Sequence, residues 1–127
     1  MACVIGVDIG TQCTKALLVE STGAILVSHS HGYAPATPRP FWAEQDASVW
    51  LEAVAIGIAQ CVAKAKALPG GWDAAALAGI CISGLYGGSG IPVDAEMKPL
   101  HPCLIWMDRR AGAQVEHVRR TVDVERL

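Results

Sequence analysis

Residues 4 to 20 read VIGVDIGTQCTKALLVE: an apolar run, a carboxylate near its tip, a glycine, a few small or polar residues, a lysine, and a second apolar run. Two short apolar runs joined by so tight a link form neighbouring antiparallel strands. STG at 21 to 23 supplies another turn, and residues 24 to 31 a third strand, so residues 3 to 31 are expected to form an antiparallel meander. A charge at the end of a buried strand is costly unless it reaches water, a partner or a ligand. Asp8 therefore calls for a reason.

Downstream, Pro35, Pro38 and Pro40 mark residues 32 to 45 as an ordered, non-repetitive loop. Asp46 is placed to cap a helix by accepting from the backbone near Val49. From Ala47 to about Leu68, Trp50, Val54, Ile58, Cys61, Val62 and Ala65 recur at helical spacing, and Pro69, Gly70 and Gly71 end the run. Residues 78 to 83 (AGICIS) predict a strand opening into the glycine-rich loop GLYGGSG, and strands are also expected at 91 to 94 and 104 to 107. A last helix is expected from Asp108, its cap, through Val115 and Val118. The sequence then stops at VDVERL without a glycine or proline signal, which reads as a cut rather than a finished end.

At 127 residues, 52% hydrophobic and 17% charged, the composition excludes a disordered chain and suits a single α/β domain. No uninterrupted apolar run reaches membrane-spanning length, and no basic segment followed by an apolar one opens the chain. The expected setting is soluble and cytoplasmic, without a membrane. A net charge of −2 offers no field for nucleic acid, and the basic residues of RRAGAQVEHVRR read as a solvated helix face. Five scattered cysteines with no CxxC pair read as reduced thiols. His29 and His31 share a strand face but have no third ligand nearby, so two surface histidines are preferred to a metal site.

The order strand, strand, strand, helix, strand, with a carboxylate at the first strand's tip, is that of the ribonuclease-H-like fold of actin- and hexokinase-type phosphotransferases. The expected architecture is α/β, a mixed sheet flanked by helices. In this reading Gly10 lets backbone approach phosphate, Thr11 and Thr14 offer hydroxyls, Lys15 a cation, and Asp8 a hold on magnesium. A bare DIG triplet would equally shape an ordinary hairpin turn. The full string VDIGTQCTK between two apolar strands favours the phosphate site.

Four stretches extend this to a family resemblance: GVDIGTQCTKALLV, PRPFWAEQDASVW, GICISGLYGG and PCLIWMDRRA. Together they make the chain resemble the N-terminal part of the FGGY carbohydrate kinases. Residues 1 to 127 then correspond to an incomplete first domain, without the second domain that clamps the nucleotide. The resemblance implies ATP and Mg²⁺ as cofactors and a small sugar or polyol as acceptor. It matches Asp8 to the acidic residue near metal and transferred phosphate, and Gly10, Thr11, Gln12, Cys13, Thr14 and Lys15 to the phosphate turn. Family members often carry Thr or Ser where Gln12 and Cys13 stand, and a thiol is a poorer donor than a hydroxyl.

Trp106 matches an aromatic that packs on the sugar, against the alternative of a core aromatic, and Asp108 is either a substrate contact or a helix cap. Arg109 and Arg110 either pair with carboxylates or face water, while Trp42, Glu44 and Gln45 read as an anchor and a polar loop before the helix. Tyr86 and Gly87 stand where xylulose kinases commonly have Met-His and glycerol kinases Arg-Glu, in a loop one residue longer, which leaves the sugar open.

Phosphoryl transfer also needs a base that orients the attacking hydroxyl. The resemblance puts that base, an Asp, beyond residue 127, so the 127 residues alone are expected to be inactive. Competing readings are an inactive remnant or standalone sugar- or phosphate-binding module, with a homodimer as one way to hide its apolar faces, and an actin-like ATPase without sugar specificity.

Overall fold

The computed structural model describes residues 1–84 and 90–123. Strands β1 (Cys3–Ile9), β2 (Cys13–Glu20) and β3 (Ile25–Gly32) form the expected meander, followed by β4 (Glu44–Gln45), helix α1 (Ala47–Lys66), β5 (Leu77–Gly84), β6 (Cys103–Leu104) and helix α2 (Gly112–Thr121). The main sheet has the order β3-β2-β1-β5. Its first two pairings are antiparallel and β1 with β5 is parallel, so the sheet is mixed. A parallel neighbour requires a crossover, and α1 provides it.

Alternation along β1 and β2 sends Cys3, Ile5, Val7, Ala16 and Leu18 to one face, where they form the core with Cys61 and Ala65 of α1. The buried stripe of α1 is Ala53, Gly57, Cys61 and Ala65, at four-residue spacing. This rotates the helix relative to the expected face: Val54, Ile58 and Val62 flank the core, and Trp50 is half-buried. The reason is proximity, since a Cβ on Gly57 would lie 3.1 Å from the Cβ of Ala16. Small residues let the helix axis drop onto the sheet, and larger ones fill the angles on either side. By length and composition α1 would also suffice to cross a membrane. Here its small-residue stripe is docked on the sheet.

Asp46 caps α1, its carboxylate accepting from Ser48 N at 2.9 Å and Ser48 Oγ at 2.7 Å; Val49 N bonds instead to the Asp46 carbonyl, at 3.2 Å. His29 and His31 lie opposite Ala16 and Thr14, on the α1 side of β3, and no group of three metal-ligating side chains occurs among the described residues.

The second half is less regular than expected. Residues 91 to 94 contribute only a bridge between Val93 and Pro99, and the strand expected at 104 to 107 shrinks to Cys103–Leu104, paired with Glu44–Gln45. Pro92, Pro99 and Pro102 each remove a ladder donor, which keeps this segment from pairing further. Helix α2 begins at Gly112, with Ala111 at its cap position and no side-chain cap bond, so Asp108 is not its cap.

Candidate phosphate-binding site

The face of the sheet opposite α1 carries the charges. Asp8 of β1 lies directly across from Lys15 of β2 and from Ser83 of β5, so three polar side chains from three strands share one row. They line, with Gly6, Val7, Leu17 and Cys81, an open hollow of about 240 Å³. Asp8 and Lys15 are exposed, and among the described residues neither takes part in the ion pairs, which join Arg110 to Glu44 and Asp108 and Arg119 to Glu116. A carboxylate and an ammonium with their hydrogen-bonding capacity unspent are suited to a ligand bearing both anionic oxygens and a cation.

The β1–β2 turn rises from this row. Gly10 N donates to Cys13 O at 2.9 Å, closing the hairpin around Thr11 and Gln12. A Cβ at Gly10 would stand 3.0 Å from that same Cys13 oxygen, so a side chain there would crowd the closure and glycine is favoured. Gln12 and Cys13 are exposed, whereas Thr14 is fully buried on the α1 side. Its hydroxyl is paired with the Tyr33 hydroxyl at 2.9 Å and so shapes the turn from beneath rather than facing the hollow.

Tyr33 is the residue that sequence reasoning missed. Its hydroxyl donates to Gly10 O at 2.7 Å and its backbone N–H to Gln12 O at 2.9 Å. Burial raises its phenol pKa above the usual value; the hydrogen bond from Thr14 opposes this, and the fields of Cys13 and Asp8 add to it. The phenol is therefore a neutral donor at any physiological pH. The only signal in the sequence is an aromatic immediately after the third strand, which marks many loops.

From far along the chain, Trp106 Nε1 donates to Thr11 Oγ1 at 3.0 Å. Trp106 is 51% exposed, so it lies outside the core that these residues form and stands beside the turn. Asp108, two residues on, is committed elsewhere: its carboxylate accepts from Ala43 N at 2.8 Å and from Arg110 Nε at 2.9 and 3.0 Å. Hydrogen bonding to Arg110 is the main reason its pKa falls to about 2. Arg110 also reaches Glu44 Oε1 at 2.7 Å and lies 3.7 Å above the Trp42 ring centroid. Asp108, Arg110, Glu44 and Trp42 thus bolt the proline-rich loop to the segment carrying Trp106. Arg109 donates to the carbonyls of Trp106 and Asp108. Tyr86 and Gly87 lie outside the described residues.

The match that decides the family covers nearly all of the chain. A model of the N-terminal domain of the FGGY family of carbohydrate kinases matches residues 3–127. The chain belongs to this family. It is 32% identical to a xylulose kinase of Staphylococcus xylosus over 127 residues, covering 100% of this chain and 25% of that protein. It is 34% identical to one of Streptomyces coelicolor over 123 residues, covering 94% and 22%. Among solved structures, a xylulose kinase from Rhodospirillum rubrum superposes with a TM-score of 0.83 at 30% identity, over 97% of this chain and 24% of that one. A glycerol kinase from Plasmodium falciparum shares the fold, with a TM-score of 0.78 at 18% identity, over 97% and 24%. The chain spans about a quarter of the length of these relatives. The mixed sheet with its α1 crossover is the ribonuclease-H-like arrangement of actin- and hexokinase-type kinases.

Proposed function

We propose that residues 1–127 form the phosphate-binding part of an ATP-dependent kinase that phosphorylates a hydroxyl of a sugar or polyol. The observation that carries this is the row Lys15, Asp8, Ser83 beneath the Gly10–Cys13 turn on the uncovered face of the sheet. Asp8 is the residue to hold magnesium. Magnesium takes one or two protein carboxylates and fills its remaining positions with phosphate oxygens and water, so a lone exposed Asp8 fits a magnesium–nucleotide complex and not a free-standing metal cage. Once bound, that complex supplies the γ-phosphoryl group and offsets charge as it transfers.

The chain's own residues do three things in this reading. Lys15 contributes a fixed positive charge beside the phosphates, Gly10 allows the backbone to come close, and the Gly10–Cys13 turn presents N–H groups to oxygen atoms. Gln12 and Cys13 act through their backbone, which makes the departure from Thr or Ser tolerable. Trp106, exposed beside Thr11, offers a flat apolar surface for the carbon skeleton of the acceptor. Asp108 holds the Trp106 segment in place through Arg110 and Ala43. Xylulose is the first acceptor to assay, because the relatives bear that name.

The test is ADP release by the natural polypeptide that carries these residues, offered ketoses, aldoses and polyols in turn. Asp8→Ala should lower kcat far more than it raises the sugar KM. Sugar-independent turnover, or turnover unchanged in the variant, would refute the assignment. Assayed by themselves, the 127 residues should release no ADP.

A further inference from the structure

The geometry points to Tyr33 as a positioning residue that aims the Thr11 N–H at the anion held between Asp8 and Lys15. This inference rests on the phosphate-turn reading above and goes beyond it, since neither the motif nor the exposed row includes Tyr33.

The hydroxyl directions are fixed by what each partner can do. Gly10 O is a carbonyl and only accepts, so the single Tyr33 proton goes to it, at 2.7 Å. The Thr14 hydroxyl, 2.9 Å away, must then donate to the Tyr33 oxygen. The relay runs one way, from Thr14 to Tyr33 to Gly10. Thr14 is fully buried and registers with Ile9, on the α1 side of the sheet, whereas Asp8 and Lys15 register with each other on the opposite side. Tyr33 therefore draws the Gly10 carbonyl toward the α1 side.

Peptide planarity carries the consequence across the sheet. No cis peptide bond occurs among the described residues, and in a trans peptide the C=O of one residue and the N–H of the next point in opposite directions. With the Gly10 oxygen pulled toward α1, the Thr11 N–H turns toward the face that carries Asp8 and Lys15. The backbone N–H of Tyr33 on Gln12 O, at 2.9 Å, secures the other end of the same turn. One residue outside the motif thus sets the orientation of a donor within it.

Two measurements on the chain test this, with tripolyphosphate and Mg²⁺ as the probe. In ligand-free protein, residual dipolar couplings report the direction of the Thr11 N–H. Tyr33→Phe should reorient it while the N–H vectors of Ile5 and Leu18 stay fixed, and an unmoved Thr11 vector overturns the inference. Chemical-shift titration with the probe should then show Tyr33→Phe binding about fivefold more weakly, or worse, in protein whose Ile5 and Leu18 signals are native. A residue that only stabilised the fold would leave that affinity unchanged. Thr14→Val combined with Tyr33→Phe should be no worse than Tyr33→Phe alone. If Tyr33→Phe does not fold, replacing the Gly10–Thr11 amide by an ester, which deletes the Thr11 N–H itself, carries the test: unchanged affinity for the probe overturns the inference. Equal affinity in wild type and Tyr33→Phe overturns the positioning role and leaves the phosphate reading standing. No shift at residues 10 to 15 in wild type overturns the phosphate reading, and the inference falls with it.

Discussion

Replacing Gly57 by alanine separates two effects that usually point the same way. On helix propensity alone the change should stabilise α1 by about 1 kcal/mol. Yet the new methyl would sit 3.1 Å from the Cβ of Ala16, where carbon atoms prefer roughly 3.5 to 4.0 Å. Ala16 is fully buried in β2, between β1 and β3, so it has no free direction in which to yield. Overpacking of this kind costs about 1 to 3 kcal/mol, and Gly57→Ala is therefore expected to be neutral or destabilising by up to about 2 kcal/mol. Ala16→Gly alone should lose about 1.5 kcal/mol, from one buried methyl and a freer strand backbone. Combined, the two changes move a methyl from strand to helix within the same space. The double variant should sit near wild type, with a favourable coupling of about 1.5 to 3.5 kcal/mol. Urea unfolding followed by far-UV circular dichroism measures this through the midpoints at constant slope. A stabilised Gly57→Ala, additive with Ala16→Gly, would refute the argument that small residues set the helix–sheet distance.

Three further outcomes are expected. Gly10→Ala, whose Cβ would stand 3.0 Å from the Cys13 carbonyl oxygen, should open the hairpin closure and lower affinity for magnesium tripolyphosphate at least tenfold, read by the same titration. The Asp108 carboxyl titrates near 2 in the folded chain, below its ordinary value of 3.8, so its contribution to stability is fully present above about pH 4 and is lost as pH falls toward 2. Asp108→Asn should flatten that part of a urea-midpoint profile, and an unchanged acid slope would exclude the Arg110 pairing as its source. Trp106→Phe removes the donor to Thr11 Oγ1 and should cost less than about 1 kcal/mol of stability, because the bond is exposed, while shifting the Thr11 amide resonance.

The meander and the Asp8–Lys15 row were legible because strand alternation has a period of two. Once VIGVD and TKALLV are antiparallel across a short turn, only a few registers put Ile5, Val7, Ala16 and Leu18 on one side, and all of them put Asp8 and Lys15 on the other. The face of α1 was harder to read, since a search for large apolar side chains passes over Ala53 and Gly57, where contact is closest. Residues 91 to 107 misled for the opposite reason: short apolar runs satisfied a strand pattern while their prolines withheld the donors a ladder requires. Asp108 resembled a cap because Asp before a helix usually is one. What diverts it is Ala43, 65 residues away in sequence, and no local pattern carries that.

The two faces of the sheet divide the work, and the turn joins them. On the α1 side, Thr14 and Tyr33 tie Gly10 to the packed core, and burial makes those hydrogen bonds costly to break. On the open side, Asp8 and Lys15 remain unpaired with each other across neighbouring strands, an arrangement that contributes little to folding and that the proposed function assigns to a bound ligand. Thr11 is held from a third direction by Trp106, whose own segment depends on Arg110 meeting Asp108, Glu44 and Trp42. The turn is therefore fixed by β3, by the packed face beneath it and by residues near position 106. Loosening the side-chain ties of Tyr33, Thr14 or Trp106 should degrade anion binding before it unfolds the sheet, because the row itself is held by the strand ladders, to which those side-chain bonds do not contribute.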